Sequence, residues 1–134
     1  MIVIDASALL EVLLRTPRAA GIEARVFATD ASLHAPHLLD LEVAQVLRRY
    51  VAAAELAPAR AQDALEDLQA FPIERYPHHL FLTRIWALRG NVTAYDAVYI
   101  ALAEALDATL LTCDRRLASA PGHTARVDVV RGAA

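Results

Sequence analysis

Apolar positions along the chain follow two patterns: short runs with no polar face, and longer stretches that recur at helical spacing. MIVID opens the chain as a continuous β-branched run, as expected of a strand buried on both faces. A helix is predicted from Ser7 to Arg15. Thr16-Pro17 predicts the start of a second through Ala28, with Thr16 as N-cap and Pro17 at the first helical position. Ser32 to Ala35 reads as a strand, Leu38 to Glu55 as a long helix, and Pro58 opens another ending near Ala70. Ile73 to Tyr76 is a short strand closed by Pro77, followed by a helix to Leu88 and a break at Gly90-Asn91. A helix from Ala94 to Leu106, a strand from Thr109 to Thr112, a helical turn from Asp114 to Ala118 and a strand from Val127 to Val130 complete the pattern. Strands separated by helices predict an α/β domain with a parallel sheet and right-handed crossovers. In such sheets ligands bind beyond the carboxyl ends of the strands.

Four acids sit poorly in this pattern. Asp5 ends the first apolar run, and Asp114 follows the run TLLT by one residue. Glu42 borders a helical core stripe of Leu39, Val43, Val46, Leu47 and Tyr50, whereas Asp40 falls on the solvated side. Asp96 opens AVYIALAEALDATLL, a segment apolar nearly all round and therefore expected to be buried. An ionised carboxylate removed from water costs several kcal/mol unless it is paired. Four of them in one cleft would repel one another, and the usual remedy is a hard, oxygen-preferring cation such as Mg²⁺ or Mn²⁺. Structural readings remain open for each: Asp5 and Asp114 as N-caps, Asp96 in a capping box with Thr93, and Glu42 reaching out to solvent.

Composition narrows the classes. The 134 residues suit one domain with a core that needs no staples. Asp5 and Glu11 interrupt the apolar N-terminus, which has no basic leader, so neither a signal peptide nor a membrane span is expected. Cys113 is the only cysteine, which suits a reducing cytoplasm. Net charge is −3, so the whole molecule does not advertise nucleic-acid binding. All 13 basic residues are arginine; this suits phosphate but follows equally from GC-rich codon usage. His34, His37, His78, His79 and His123 show no zinc spacing, and no GxGxxG or P-loop run is present.

The order of the four acids, within MIVIDASALLEVLL, LEVAQVLRR, TAYDAVYIALAEALDATLLTCDRRL and the closing V-D-V-V, resembles a PIN domain over the whole chain, 1–134. Within that superfamily it is similar to the VapC-type ribonuclease toxins of bacterial toxin–antitoxin pairs. The resemblance implies a three-layer α/β/α sandwich with a central parallel sheet of four to five short strands. It implies metal-dependent hydrolysis of RNA and inhibition of translation, with catalytic and metal-binding roles for Asp5, Glu42, Asp96 and Asp114. Mg²⁺ or Mn²⁺ would be the cofactor, and Ser7 and Thr112 would orient the carboxylates. A further acid found in some relatives after the fourth is replaced by Arg115 and Arg116. It also implies an antitoxin partner, a homodimer and a cytoplasmic location.

Further expectations concern surfaces. Arg15, Arg89, Arg115 and Arg116 are candidate RNA-phosphate contacts near the strand ends. Trp86, Tyr95 and Tyr99 read as core or interface rather than base-stacking residues. The first helix is apolar on most sides; Leu9, Leu10, Leu13 and Leu14, with Ile22, Val26 and Phe27 on the second, would line a groove for an antitoxin helix. Two rival readings remain. A phosphatase of the haloacid dehalogenase type also begins with an Asp after a first strand, but it needs a second Asp where Ser7 stands, and a lysine. A catalytically inactive PIN-like RNA- or protein-binding domain is disfavoured by the presence of all four acids.

Overall fold

Five parallel strands lie in the order β3-β2-β1-β4-β5, as recorded in a computed structural model that describes residues 1–28 and 30–131. They are β1 (Ile2–Ile4), β2 (Leu33–Pro36), β3 (Ile73–Tyr76), β4 (Thr109–Thr112) and β5 (Arg126–Val129). Burial follows position: β1 and β2 are wholly buried, while the edge strands β3 and β5 are partly exposed. The continuous apolar runs of β1 and β4 thus mark the middle of the sheet.

Helices α1 (Ala6–Leu13), α2 (Ala19–Ala28), α3 (Leu38–Ala52) and α4 (Pro58–Ala70) pack together on one side of this sheet. The other side is covered by α6 (Ala94–Leu106), which touches β1, β2 and β4 and carries α5 (Leu82–Ala87) on its back. A last helix, α7 (Arg115–Ser119), lies beside β5. Seven consecutive residues of α6, Ala97 to Ala103, are buried, as its all-round apolar sequence demands. Among the described residues, no helix is long and apolar enough to cross a membrane.

The chain steps from β1 to β2 to β3 in one direction, then returns through α6 to β4 on the far side of β1. The strand order therefore reverses between β1 and β4, and a crevice opens beyond their carboxyl ends. Asp5 and Asp114 follow those two ends.

Several boundaries differ from the sequence reading for a shared reason. Helix α1 stops at Leu13 because Arg15 takes φ 54°, letting Thr16 N–H bond to Glu11 C=O at 3.0 Å and Arg15 N–H to Val12 C=O at 3.1 Å. Helix α3 stops at Ala52, not Glu55, through the same left-handed closure at Ala54, φ 59°. Glycine usually announces this motif, and neither site has one. Thr16 caps the turn that leads into α2, its hydroxyl accepting the Arg18 N–H at 3.3 Å, but the helix does not begin at Pro17. The same hydroxyl bonds to the Glu11 carboxylate, and α2 begins at Ala19. The expected helix after Pro77 divides into a 3₁₀ turn, His78–Phe81, and α5. His78 Nε2 there accepts the Leu38 N–H at 2.7 Å, capping α3 across the sheet edge.

Candidate active site

Asp5 is the N-cap of α1 and only 7% exposed, and each of its oxygens is claimed. Oδ1 accepts from Ser7 Oγ at 2.7 Å and from the Ala8 N–H at 3.0 Å, while Oδ2 accepts from the Thr112 hydroxyl. Those hydroxyls in turn accept backbone N–H groups from the turn after β4: Cys113 to Ser7 at 2.9 Å and Asp114 to Thr112 at 3.0 Å. A hydroxyl has a single proton to give. Ser7 and Thr112 spend theirs on Asp5, so their own 3.2 Å approach is a contact within the network rather than another bond. The ends of β1 and β4 are tied together through one carboxylate.

The other acids surround it. Glu42, on the second turn of α3, accepts the Tyr99 hydroxyl proton at 2.6 Å through Oε1. Oε2 has no hydrogen-bond partner among the described residues. Asp96 sits at the third position of α6, its N–H bonded to the Thr93 N-cap at 3.2 Å. Asp114 caps α7 and is gripped by Arg116, with Nη2 to Oδ2 at 2.7 Å and the backbone N–H to Oδ1 at 2.9 Å. Caps and acids thus coincide: Asp5 and Asp114 cap helices just past two strand ends, and Asp114 also lines the crevice.

Electrostatics binds the four into one neighbourhood. Burial raises the Asp5 carboxyl above its ordinary range; its hydrogen bonds oppose this, and the Asp96 charge adds to it. Burial likewise raises Glu42, with further upward pressure from Asp5 and Asp96. Asp96 is raised by burial and then by Asp114. Asp114 alone is lowered, because Arg116 hydrogen-bonds its charged form. Among the described residues no three His, Cys, Asp or Glu side chains are already set as a metal cage. Tyr99, the two hydroxyls and Arg116 hold three of the four carboxylates.

A cleft of about 660 Å³ between α1 and α3 is lined by Glu42, Asp114, Arg115 and Arg116 together with Arg18, Arg49 and Tyr50; Asp5 and Asp96 are not among its lining residues. Arg115 and Arg116 therefore lie where the sequence reading put them, but Arg15 does not. It borders Phe71 and Pro72, which lead into β3, at the amino edge of the sheet. Arg89 is also outside the cleft, folded over the Trp86 ring at 4.7 Å from the centroid. Asp40 is not simply solvated, because Arg75 grips it with two bonds of 2.8 and 3.0 Å. Tyr50 leaves the core stripe at 37% exposure, and Trp86 and Tyr95 are exposed rather than core.

The expected apolar excess on the first two helices is a correction. Leu9, Leu10, Leu13, Ile22 and Val26 are buried in this chain's own core and Leu14 is half-buried, because α1 packs against the sheet, α2, α3 and α4 at once. Phe27 alone of that set is exposed. Sequence reasoning missed Tyr99 as the partner of Glu42, and Arg18 and Arg49 as cleft residues. Spacing held a signal for two of them: Tyr99 is three residues after Asp96, and Arg49 seven after Glu42, so each shares a helix face with its acid.

Comparison with known proteins identifies the family. The PIN domain family matches residues 2–122. The ribonuclease VapC1 of Mycobacterium tuberculosis is 45% identical over 96% of this chain and 97% of its own. Ribonuclease VapC9 of the same organism is 44% identical over 87% of this chain and 88% of its own. The crystal structure of PAE2754 from Pyrobaculum aerophilum superposes with a TM-score of 0.68 at 26% identity, covering 96% of this chain and 83% of that one. This chain belongs to the PIN-domain family and, within it, to the VapC ribonucleases.

Proposed function

We propose that this protein is a Mg²⁺- or Mn²⁺-dependent endoribonuclease whose active site is formed by Asp5, Glu42, Asp96 and Asp114. The observation that carries the reading is the placement of these carboxylates where the strand order reverses, with Asp5, Glu42 and Asp96 raised first by burial and then by neighbouring acid charge. An apolar or capping role would not gather like charges there, and a divalent cation relieves their repulsion. The donor set is all oxygen, which fits Mg²⁺ or Mn²⁺ and not zinc. Asp5, Asp96 and Asp114 would hold the ion, with Glu42 completing a second site or accepting a proton from the attacking water through its unbonded Oε2. When bound, the ion neutralises the non-bridging phosphate oxygens and lowers the pKa of its water.

The chain's own residues do the positioning. Ser7 and Thr112 fix the Asp5 rotamer from both sides. Tyr99 holds Glu42 against the repulsion of its neighbours. Arg116, released from Asp114, would meet substrate phosphate together with Arg115. By family, the protein would be the toxin of a cytoplasmic toxin–antitoxin pair, a homodimer that inhibits translation until an antitoxin covers it. Ser7 in place of a second Asp, and the absence of lysine, count against a haloacid-dehalogenase phosphatase. Incubation of purified, antitoxin-free protein with RNA in Mg²⁺ or Mn²⁺ should give discrete cleavage that EDTA stops. RNA binding without cleavage in either metal would instead identify an inactive PIN-like module.

A further inference from the structure

The cleft contains more positive charge than its acids use. Arg116 is committed to Asp114, and Arg18 rests against the Cys113 thiol. Arg49 and Arg115 have no hydrogen-bond or ion-pair partner among the described residues. Arg115 adjoins the acids, whereas Arg49 stands seven residues beyond Glu42 on the same face of α3, about 10 Å along the helix axis. Tyr50 follows it, one turn beyond Val46, with its ring partly open to the same cleft. A free guanidinium beside an exposed ring, at one end of an acidic site, matches what a nucleic-acid strand presents: a phosphate, then a base with a π-face.

We propose that Arg49 and Tyr50 form a nucleotide subsite that holds the RNA strand next to the scissile bond. Arg49 takes a phosphate neighbouring the one at the acids, and Tyr50 stacks on an unpaired base. Acids repel a polyanion, so a strand crossing this site needs cations at its flanks, and Arg49 supplies one that no protein carboxylate has claimed. The inference rests on the reading of the cleft as an RNA-cleaving site. It adds a substrate geometry: the nucleotide at Tyr50 must be single-stranded, because a paired base offers no free face.

The test measures affinity of a fluorescent single-stranded RNA in the cleavage-deficient Asp96→Asn background, with Mg²⁺ present. Arg49→Ala should weaken binding and lower the salt slope by about 0.7, the value of one lost phosphate contact on a single strand. Tyr50→Ala should weaken it on the order of tenfold, and Tyr50→Phe should restore it. Arg48→Ala removes the same charge from α3 outside the cleft and should leave affinity and slope near those of the background. Loss of the Tyr50 effect on a fully duplexed version of the same RNA would further support stacking. If the otherwise wild-type protein cleaves RNA while Arg49→Ala and Tyr50→Ala match Arg48→Ala, the subsite is overturned and the nuclease reading survives. If those two variants resist antitoxin inhibition with unchanged RNA affinity, the surface belongs to a protein partner and the inference is wrong. If the otherwise wild-type protein neither binds nor cleaves RNA, both readings fall.

Discussion

Replacing Thr112 by Val removes one hydroxyl and keeps the shape of a fully buried side chain. Two groups lose a partner at once. Asp5 Oδ2 loses a donor to a charged carboxylate, worth about 1.5–3 kcal/mol, and the Asp114 N–H loses its acceptor, worth about 1 kcal/mol. The apolar replacement returns part of this, because no hydroxyl is left to desolvate. A net loss of about 2–3 kcal/mol at neutral pH follows, or roughly 10 °C in melting temperature for a chain of this size. Thr112→Ser keeps the hydroxyl and forfeits a methyl group, costing about 1 kcal/mol. Without its donor the Asp5 carboxyl rises further, so the Thr112→Val deficit should shrink as pH falls and Asp5 becomes protonated. Thermal denaturation of both variants across pH measures this directly. If Thr112→Val melts with Thr112→Ser at neutral pH, or its deficit is independent of pH, the hydroxyl does not hold Asp5 as described.

Three further outcomes concern charge and backbone strain. Asp5, Glu42 and Asp96 have folded pKa values above their ordinary ones, so their contribution to stability is lost as pH rises past the unfolded carboxylate range. The metal-free stability gain of Asp96→Asn over wild type should therefore be larger at pH 7.5 than at pH 4.5 on denaturant titration; a pH-independent gain would contradict the repulsion. Glu104 is the opposite case: hydrogen bonds from Arg84 lower it to about 2, so its stabilisation is present above the ordinary value of 4.5 and disappears as pH falls through about 2. Glu104→Gln should cost about 1–2 kcal/mol at pH 7, after discounting for the partly exposed Arg84, and an equal cost at pH 2 in a denaturation series would refute the pairing. Ala54→Gly should raise stability by about 0.5–1 kcal/mol in the same assay, because φ 59° strains alanine and not glycine; destabilisation would show the left-handed closure to be unstrained.

Elements were legible where burial and chemistry agreed locally. The unbroken apolar runs marked β1 and β4, Pro58 marked the start of α4, and Thr93 marked that of α6. Helix ends were hidden because Arg15 and Ala54, not glycines, take the left-handed turn. The over-apolar α1 illustrates a different limit. Its sequence could not distinguish a helix that serves a partner from one enclosed by the sheet and three helices of its own chain, and the structure encloses it. Arg15 was misplaced for a related reason: α1 runs back from the carboxyl edge, so residues at its two ends lie on opposite edges of the sheet. The acids themselves stood out because carboxylates in apolar settings are costly. Tyr99 did not, since a buried tyrosine in an apolar helix looks like filling until its hydroxyl partner is seen.

The most direct test of one metal-dependent RNA-cleaving site is a paired measurement on Asp96→Asn and wild type: RNA cleavage and melting temperature, each with Mn²⁺ and with EDTA. The account predicts that Asp96→Asn folds at least as stably as wild type in EDTA, because it removes a carboxylate raised by burial and by Asp114, gains less from Mn²⁺, and does not cleave. Cleavage by Asp96→Asn at the wild-type rate, or a loss of cleavage that merely accompanies a fall in melting temperature, would contradict it.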